Sequence, residues 1–120
     1  MRTRPNILLI VADDASHLGC DGHAWVQTPH IDRMAAAGVR FAAAFTTNPK
    51  CAPSRASMLT GRHTWQNREA CLHWNHWPSE LPVYPDLLAE VGYQVGHTGK
   101  GWAPGSITRA AEAVQRPCGR

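Results

Sequence analysis

The chain has 120 residues, 43% of them apolar and 18% charged, a globular composition that argues against disorder along the whole length. Its net charge of +3 is mild and ten of its twelve basic residues are dispersed arginines, so no basic run of the kind that tracks a nucleic-acid backbone is present. The longest apolar stretch, Ile7 to Ala12, is strand-sized and too short to span a membrane. Four cysteines, Cys20, Cys51, Cys71 and Cys118, include no C-x-x-C pair, against a zinc ribbon or a thioredoxin-like site, and their spacing asks for no disulfide framework. Met1 leads almost directly into the apolar stretch, leaving no room for a signal peptide, so the chain as written is expected in the cytoplasm.

In chain order, Asn6 to Ala12 (N-I-L-L-I-V-A) reads as a strand buried on both faces, and it stops at Asp13-Asp14. Asp14 to Gln27 is loop-like. Thr28-Pro29 predicts a helix start, with Thr28 as N-cap, Ile31, Met34 and Ala35 on the buried face and Gly38 as the stop. Val39 to Phe45 predicts a short second strand. Asn48 to Ser54 reads as a loop, followed by a helical turn or two from Ala56 to Thr60 that ends at Gly61. Arg62 to Pro82 has little periodicity. Pro85 to Val91 predicts a helix that buries Leu87, Leu88 and Val91 and ends at Gly92; Tyr93 to His97 predicts a further strand. Alternating strands and helices give an α/β class with a mainly parallel sheet flanked by helices. Asp13, Asp14 and Lys100 all fall just beyond strand C-termini, where open α/β sheets place ligands.

Two adjacent carboxylates on a sharp bend can reach one divalent cation, and hard oxygen donors suit Ca²⁺ or Mg²⁺. A lone D-D is more often a solvated acidic loop; here the buried strand before it makes ligation the better reading. Lys100, in a loop flanked by Gly99 and Gly101, would ordinarily be a solvated charge. The densest signal is Cys51-Ala52-Pro53-Ser54-Arg55, continuing to Leu59-Thr60-Gly61. A short C-x-P-x-R is only suggestive, but the extended form is far rarer. The cluster His73-Trp74-Asn75-His76-Trp77 offers aromatic walls for a sugar or packing beneath a long loop, and both readings stand. His17, His23, His30 and His63 carry no assignment.

Together these segments resemble the type I, formylglycine-dependent sulfatases. C-A-P-S-R with its L-T-G extension is similar to the first signature of that family, and A-D-D after an apolar strand matches its acidic pair. Thr28-Pro29-His30-Ile31-Asp32 through Gly38-Val39-Arg40-Phe41 is similar to its T-P-N-I-D…G-V-x-F segment, read here as structural packing. Gly92-Tyr93 through Gly99-Lys100-Gly101-Trp102 resembles its second signature, except that Trp102 and Ala103 stand where a histidine is usual after the lysine. The His/Trp stretch is similar to one in heparan N-sulfatase-like members.

The resemblance covers residues 5 to 105, with its four motifs in family order. It implies the first strands and helices of an alkaline-phosphatase-like sandwich. It further implies that a formylglycine-generating enzyme oxidises Cys51 to formylglycine, recognising C-x-P-x-R. A hydrated aldehyde then supplies one hydroxyl to attack the sulfur of a sulfate ester or sulfamate, while the second later expels sulfate by re-forming the carbonyl. Arg55 and Lys100 hold the anion. Asp13, Asp14 and the residue derived from Cys51 ligate Ca²⁺, with Mg²⁺ the alternative ion. The substrate class is a sulfated small molecule or sugar; neither nucleic acid nor membrane is expected as a partner. Family members are often exported.

The family's second acidic pair and its leaving-group histidine have no counterpart after Lys100, so the chain is expected to be an incomplete, inactive catalytic domain. Residues 1–105 are read as the N-terminal part of that domain and 106–120 as a divergent tail left by truncation or a frameshift. Two neighbouring functions stay open: a phosphate or phosphonate ester hydrolase of the same superfamily, and a non-catalytic metal-binding remnant. A small basic binding module is disfavoured by the dispersed arginines.

Overall fold

The computed structural model describes residues 4–102. The tail assigned to 106–120 lies outside them. The described residues fall into two compact units, 4–44 and 45–102.

In the first unit the apolar stretch does not become a strand, and Ile7 to Val11 stand 45–83% exposed. A strand needs a neighbour for its backbone N–H and C=O groups, and among the described residues no segment ladders with this one. The chain then bends at Asp13-Asp14, with Asp14 in the left-handed region at φ 57°. That region tolerates Asp better than most residues.

The helix predicted after Thr28 is present as α1, Pro29–Ala37, with Pro29 in the first turn and Gly38 donating its N–H back to the Met34 carbonyl. Thr28 holds the N-cap position without capping through its side chain. Its hydroxyl instead donates to Asp32 Oδ1 at 2.9 Å and accepts the Gly19 N–H at 2.9 Å, tying the 3₁₀ turn Gly19–Asp21 to α1. A Cβ on Gly19 would lie 2.7 Å from Asp32 Oδ2, so a side chain there would displace the Thr28–Asp32 pair. Arg40 closes back on Asp21 at 2.9 Å, an exposed pair that contributes little stability. The face assigned to packing differs from expectation. Ile31, Met34, Val39 and Phe41 are exposed, Ala35 is only half-buried, and 39–45 forms no strand. The T-P-x-I-D segment is thus structural through its polar atoms.

The second unit carries the core. α2 spans Cys51–Thr60, so helix begins at Cys51 itself and takes in four residues read from sequence as loop. Pro53 fits this because first-turn N–H groups lack a helical acceptor in any case. The stop is as expected. Gly61 adopts φ 67° and donates to the Ser57 carbonyl at 2.9 Å. Thr60 Oγ1 lies 2.8 Å from the Ala56 carbonyl and 2.9 Å from Asn67 Oδ1, and Leu59 packs on the core. The L-T-G extension therefore ends the helix and anchors it.

Two 3₁₀ turns, Thr64–Gln66 and Arg68–Cys71, lead to α3 at Tyr84–Glu90, one residue earlier than the expected start and end. α3 buries Pro85, while Leu87 and Val91 are exposed and Leu88 is half-buried, so the face predicted for it is not the one that packs. Tyr93 to His97 contributes only a single-residue bridge at His97, and another stands at His76. The core consists of Ala52, Ala56, Ala70, Trp77, Leu81, Val83 and Trp102. Alanines on α2 leave room for the two indoles, which meet edge to face with centroids 5.2 Å apart.

Candidate active site at the start of α2

The site is built on the first turn of α2. Helix geometry puts Cys51 and Arg55 four residues apart on one face. A hydroxyl network fixes the loop that feeds this turn: Thr46 meets Ser54 at 3.1 Å, and Thr47 meets Ser57 and Thr64 at 2.9 and 2.8 Å. Asn48 Oδ1 accepts the Lys50 N–H at 2.8 Å, and Ser54 N–H donates to the Lys50 carbonyl at 3.0 Å. Ser54 of C-A-P-S-R is thereby a loop anchor.

Lys100 comes to this turn from the far end of the unit. Its Nζ donates to Cys51 Sγ at 3.3 Å, and Arg55 Nη1 donates to the Lys100 carbonyl at 2.6 Å. Of the three residues singled out for anion chemistry, Lys100 is thus hydrogen-bonded to both Cys51 and Arg55. Cys51 and Arg55 are half-buried and Lys100 exposed. The Lys100 ammonium and the positive end of a ten-residue helix meet at the sulfur atom, with the Arg55 guanidinium one step away on the Lys100 carbonyl, an arrangement that favours an anion there.

One participant was not foreseen. Trp102 is fully buried, and its Nε1 donates to the Ala52 carbonyl at 2.8 Å. The sequence signal was the G-K-G-W departure, read there as a missing histidine. Within the His/Trp cluster, Trp77 is 2% exposed and belongs to the core, as the packing reading expects, whereas Trp74 is 76% exposed. In the first unit the rings of His17, His23 and Trp25 gather with centroids 4.5–5.7 Å apart, although no sequence pattern had linked them. Cys20, Cys51 and Cys71 are free thiols.

Asp13 and Asp14 lie side by side on the bend of the first unit, both exposed. Their carboxylates suit a hard divalent cation in kind, but Ca²⁺ takes about six to eight oxygen ligands. Among the described residues no group of three or more His, Cys, Asp or Glu is placed to hold a metal. The pair is therefore at most part of a donor set. No helix of the described residues is long and apolar enough to cross a membrane.

This constellation at a helix start, carried by its two signatures, defines a class. The sulfatase family model matches residues 5–111, and the chain belongs to that family, whose fold is of the alkaline-phosphatase-like α/β kind. Among individual proteins, it is 40% identical to human arylsulfatase D over 114 residues, covering 85% of this chain and 19% of that protein. It is 39% identical to an N-acetylgalactosamine-6-O-sulfatase of Bacteroides thetaiotaomicron over 105 residues (81% and 20%), and 38% identical to rat steryl-sulfatase over 119 (89% and 20%). The chain thus spans about a fifth of the length of these relatives. No solved structure matches it.

Proposed function

We propose that this chain is the nucleophile-bearing part of a sulfuric ester hydrolase. Cys51 is the residue converted to formylglycine, and Arg55 and Lys100 bind the sulfate group. The observation that carries this reading is the meeting of Lys100 Nζ with Cys51 Sγ at 3.3 Å, across 49 residues of sequence, at the start of a helix. The aldehyde hydrate supplies the nucleophilic oxygen. The chain's own residues then do three things. The α2 first turn fixes the attacking position. Lys100 offsets negative charge on the sulfate oxygens as it develops. Arg55 orients Lys100 through its carbonyl, and its guanidinium fork suits the oxygens of a sulfate group.

Asp13 and Asp14 are the candidate ligands for Ca²⁺ or Mg²⁺. The alkaline-phosphatase-like sandwich is the proposed frame, and the relatives named for sulfated sugars and steroids support a sulfated small molecule as substrate. A formylglycine-generating enzyme is the proposed modifying partner. Co-expressing the chain with such an enzyme, then reading the Cys51 peptide by mass spectrometry and hydrazide labelling, tests the proposal. The aldehyde is expected at Cys51 and nowhere else. A Cys51 that stays fully thiol while a control sulfatase in the same cells is converted would sink the reading.

A further inference from the structure

We propose that Trp102 is a positioning residue: its indole N–H holds Lys100 against position 51. This rests on the reading of Cys51 and Lys100 as one anion site and adds a residue to it. Hydrogen bonds join the 100–102 segment to the first turns of α2. Lys100 Nζ reaches Cys51 Sγ at 3.3 Å, Arg55 Nη1 reaches the Lys100 carbonyl at 2.6 Å, and Trp102 Nε1 reaches the Ala52 carbonyl at 2.8 Å. The first two involve half-buried or exposed side chains, where water competes for the same groups. The third is buried, with Trp102 at 0% exposure, so it is the strongest and least replaceable of the three.

Its acceptor sits next to Cys51 in the chain, and its donor sits two residues from Lys100. A bond at that point holds together the two backbone segments from which the thiol and the ammonium project. The neighbouring indole supplies a contrast inside the same core. Trp77 packs edge to face on Trp102 and is 2% exposed, yet its Nε1 is buried with no hydrogen-bond partner among the described residues. Trp77 contributes bulk; Trp102 contributes bulk and a directed bond. Where the second signature usually carries a histidine, this chain carries a residue that anchors the lysine's backbone from below.

The test needs no turnover. Lys50 and Lys100 are the chain's two lysines, and Lys50 adjoins Cys51, so it stays within reach whatever the 100–102 segment does. A short reagent with one thiol-reactive and one amine-reactive end, used on the full chain, gives Cys51–Lys100 and Cys51–Lys50 products. Their ratio by mass spectrometry reports docking. Trp102→Phe keeps a ring but deletes the donor, and is expected to lower the ratio about five-fold, the equilibrium factor of one hydrogen bond. Trp77→Phe deletes an N–H that bonds nothing and is expected to leave the ratio unchanged. Equal losses in both variants would make ring packing the cause and overturn the proposal, as would an unchanged ratio in Trp102→Phe. If Trp102→Phe fails to fold, benzothienylalanine at 102, which replaces the indole N–H with sulfur at the same shape, carries the same expectations. Failure here would leave the sulfatase reading intact, and an unconverted Cys51 thiol would leave this geometry intact.

Discussion

At Gly61 the backbone turns left-handed, φ 67°, to end α2 ten residues after Cys51. A side chain there meets no steric neighbour within 4 Å, so the cost of adding one is conformational alone. Gly61→Ala is expected to destabilise the chain by about 1–2 kcal/mol, measured as a shift in the urea midpoint at unchanged slope. The L-T-G tripeptide thus does separate tasks residue by residue: Leu59 packs, Thr60 ties the helix end to Asn67, and Gly61 stops it. Trp102 shows the opposite limit of residue-level reading. Its acceptor is a backbone carbonyl 50 residues away, which no side-chain pattern encodes, so only the departure from a familiar motif marked it.

Among elements, α1 is fastened at its start by polar atoms. The relay from the Gly19 N–H through Thr28 to Asp32 joins a 3₁₀ turn to the helix, and Cys20 lies inside that turn. Thr28→Val keeps shape but breaks both bonds. It is expected to raise the alkylation rate of Cys20 several-fold while leaving that of Cys51 unchanged, followed by peptide mass spectrometry with time; equal acceleration at both thiols would contradict the relay. Helix ends were largely legible in the sequence because Pro29, Gly38, Gly61 and Gly92 act locally on φ or on hydrogen bonding. The start of α2 was misplaced because Pro53 was read as loop, although a first helical turn accepts proline equally well. The strands were not legible as structure. An apolar run such as Ile7 to Val11 reports a need for burial on two faces, but pairing depends on neighbours that the run does not encode. The same holds for the apolar face of α1. Of the site, Cys51, Arg55 and Lys100 were readable from their signatures, and their mutual distances were not.

For the molecule as a whole, the surface is unusually apolar where a sheet would need neighbours. Ile7, Leu8, Leu9, Ile10 and Val11 are all exposed in sequence, without proline or charge to blunt them, and such a segment favours edge-to-edge association. Leu8→Lys combined with Ile10→Lys places two charges on one side of that run. The double variant is expected to stay monodisperse in light scattering at concentrations where the parent chain associates. The Cys51–Lys100 cross-link should be unchanged, since both residues belong to the other compact unit. Continued association of the variant would move the sticky surface elsewhere, with Val39, Phe41 and Phe45 the next exposed apolar residues to change.

The bond between Lys100 and Cys51 closes a long loop, and that has a consequence in time. α2 carries its own stop and its own side-chain ties within a few residues, so part of what defines the helix is short-range. The 49-residue closure gains nothing until its ends meet, and contacts of that separation form slowly. A half-formed site is therefore a helix already presenting its thiol while the cation that will face it is still at large. In the finished protein the burial of Trp102 and its bond to the Ala52 carbonyl keep the 100–102 segment seated on α2. The electrostatic character of position 51 is then acquired late, when the far segment takes its seat.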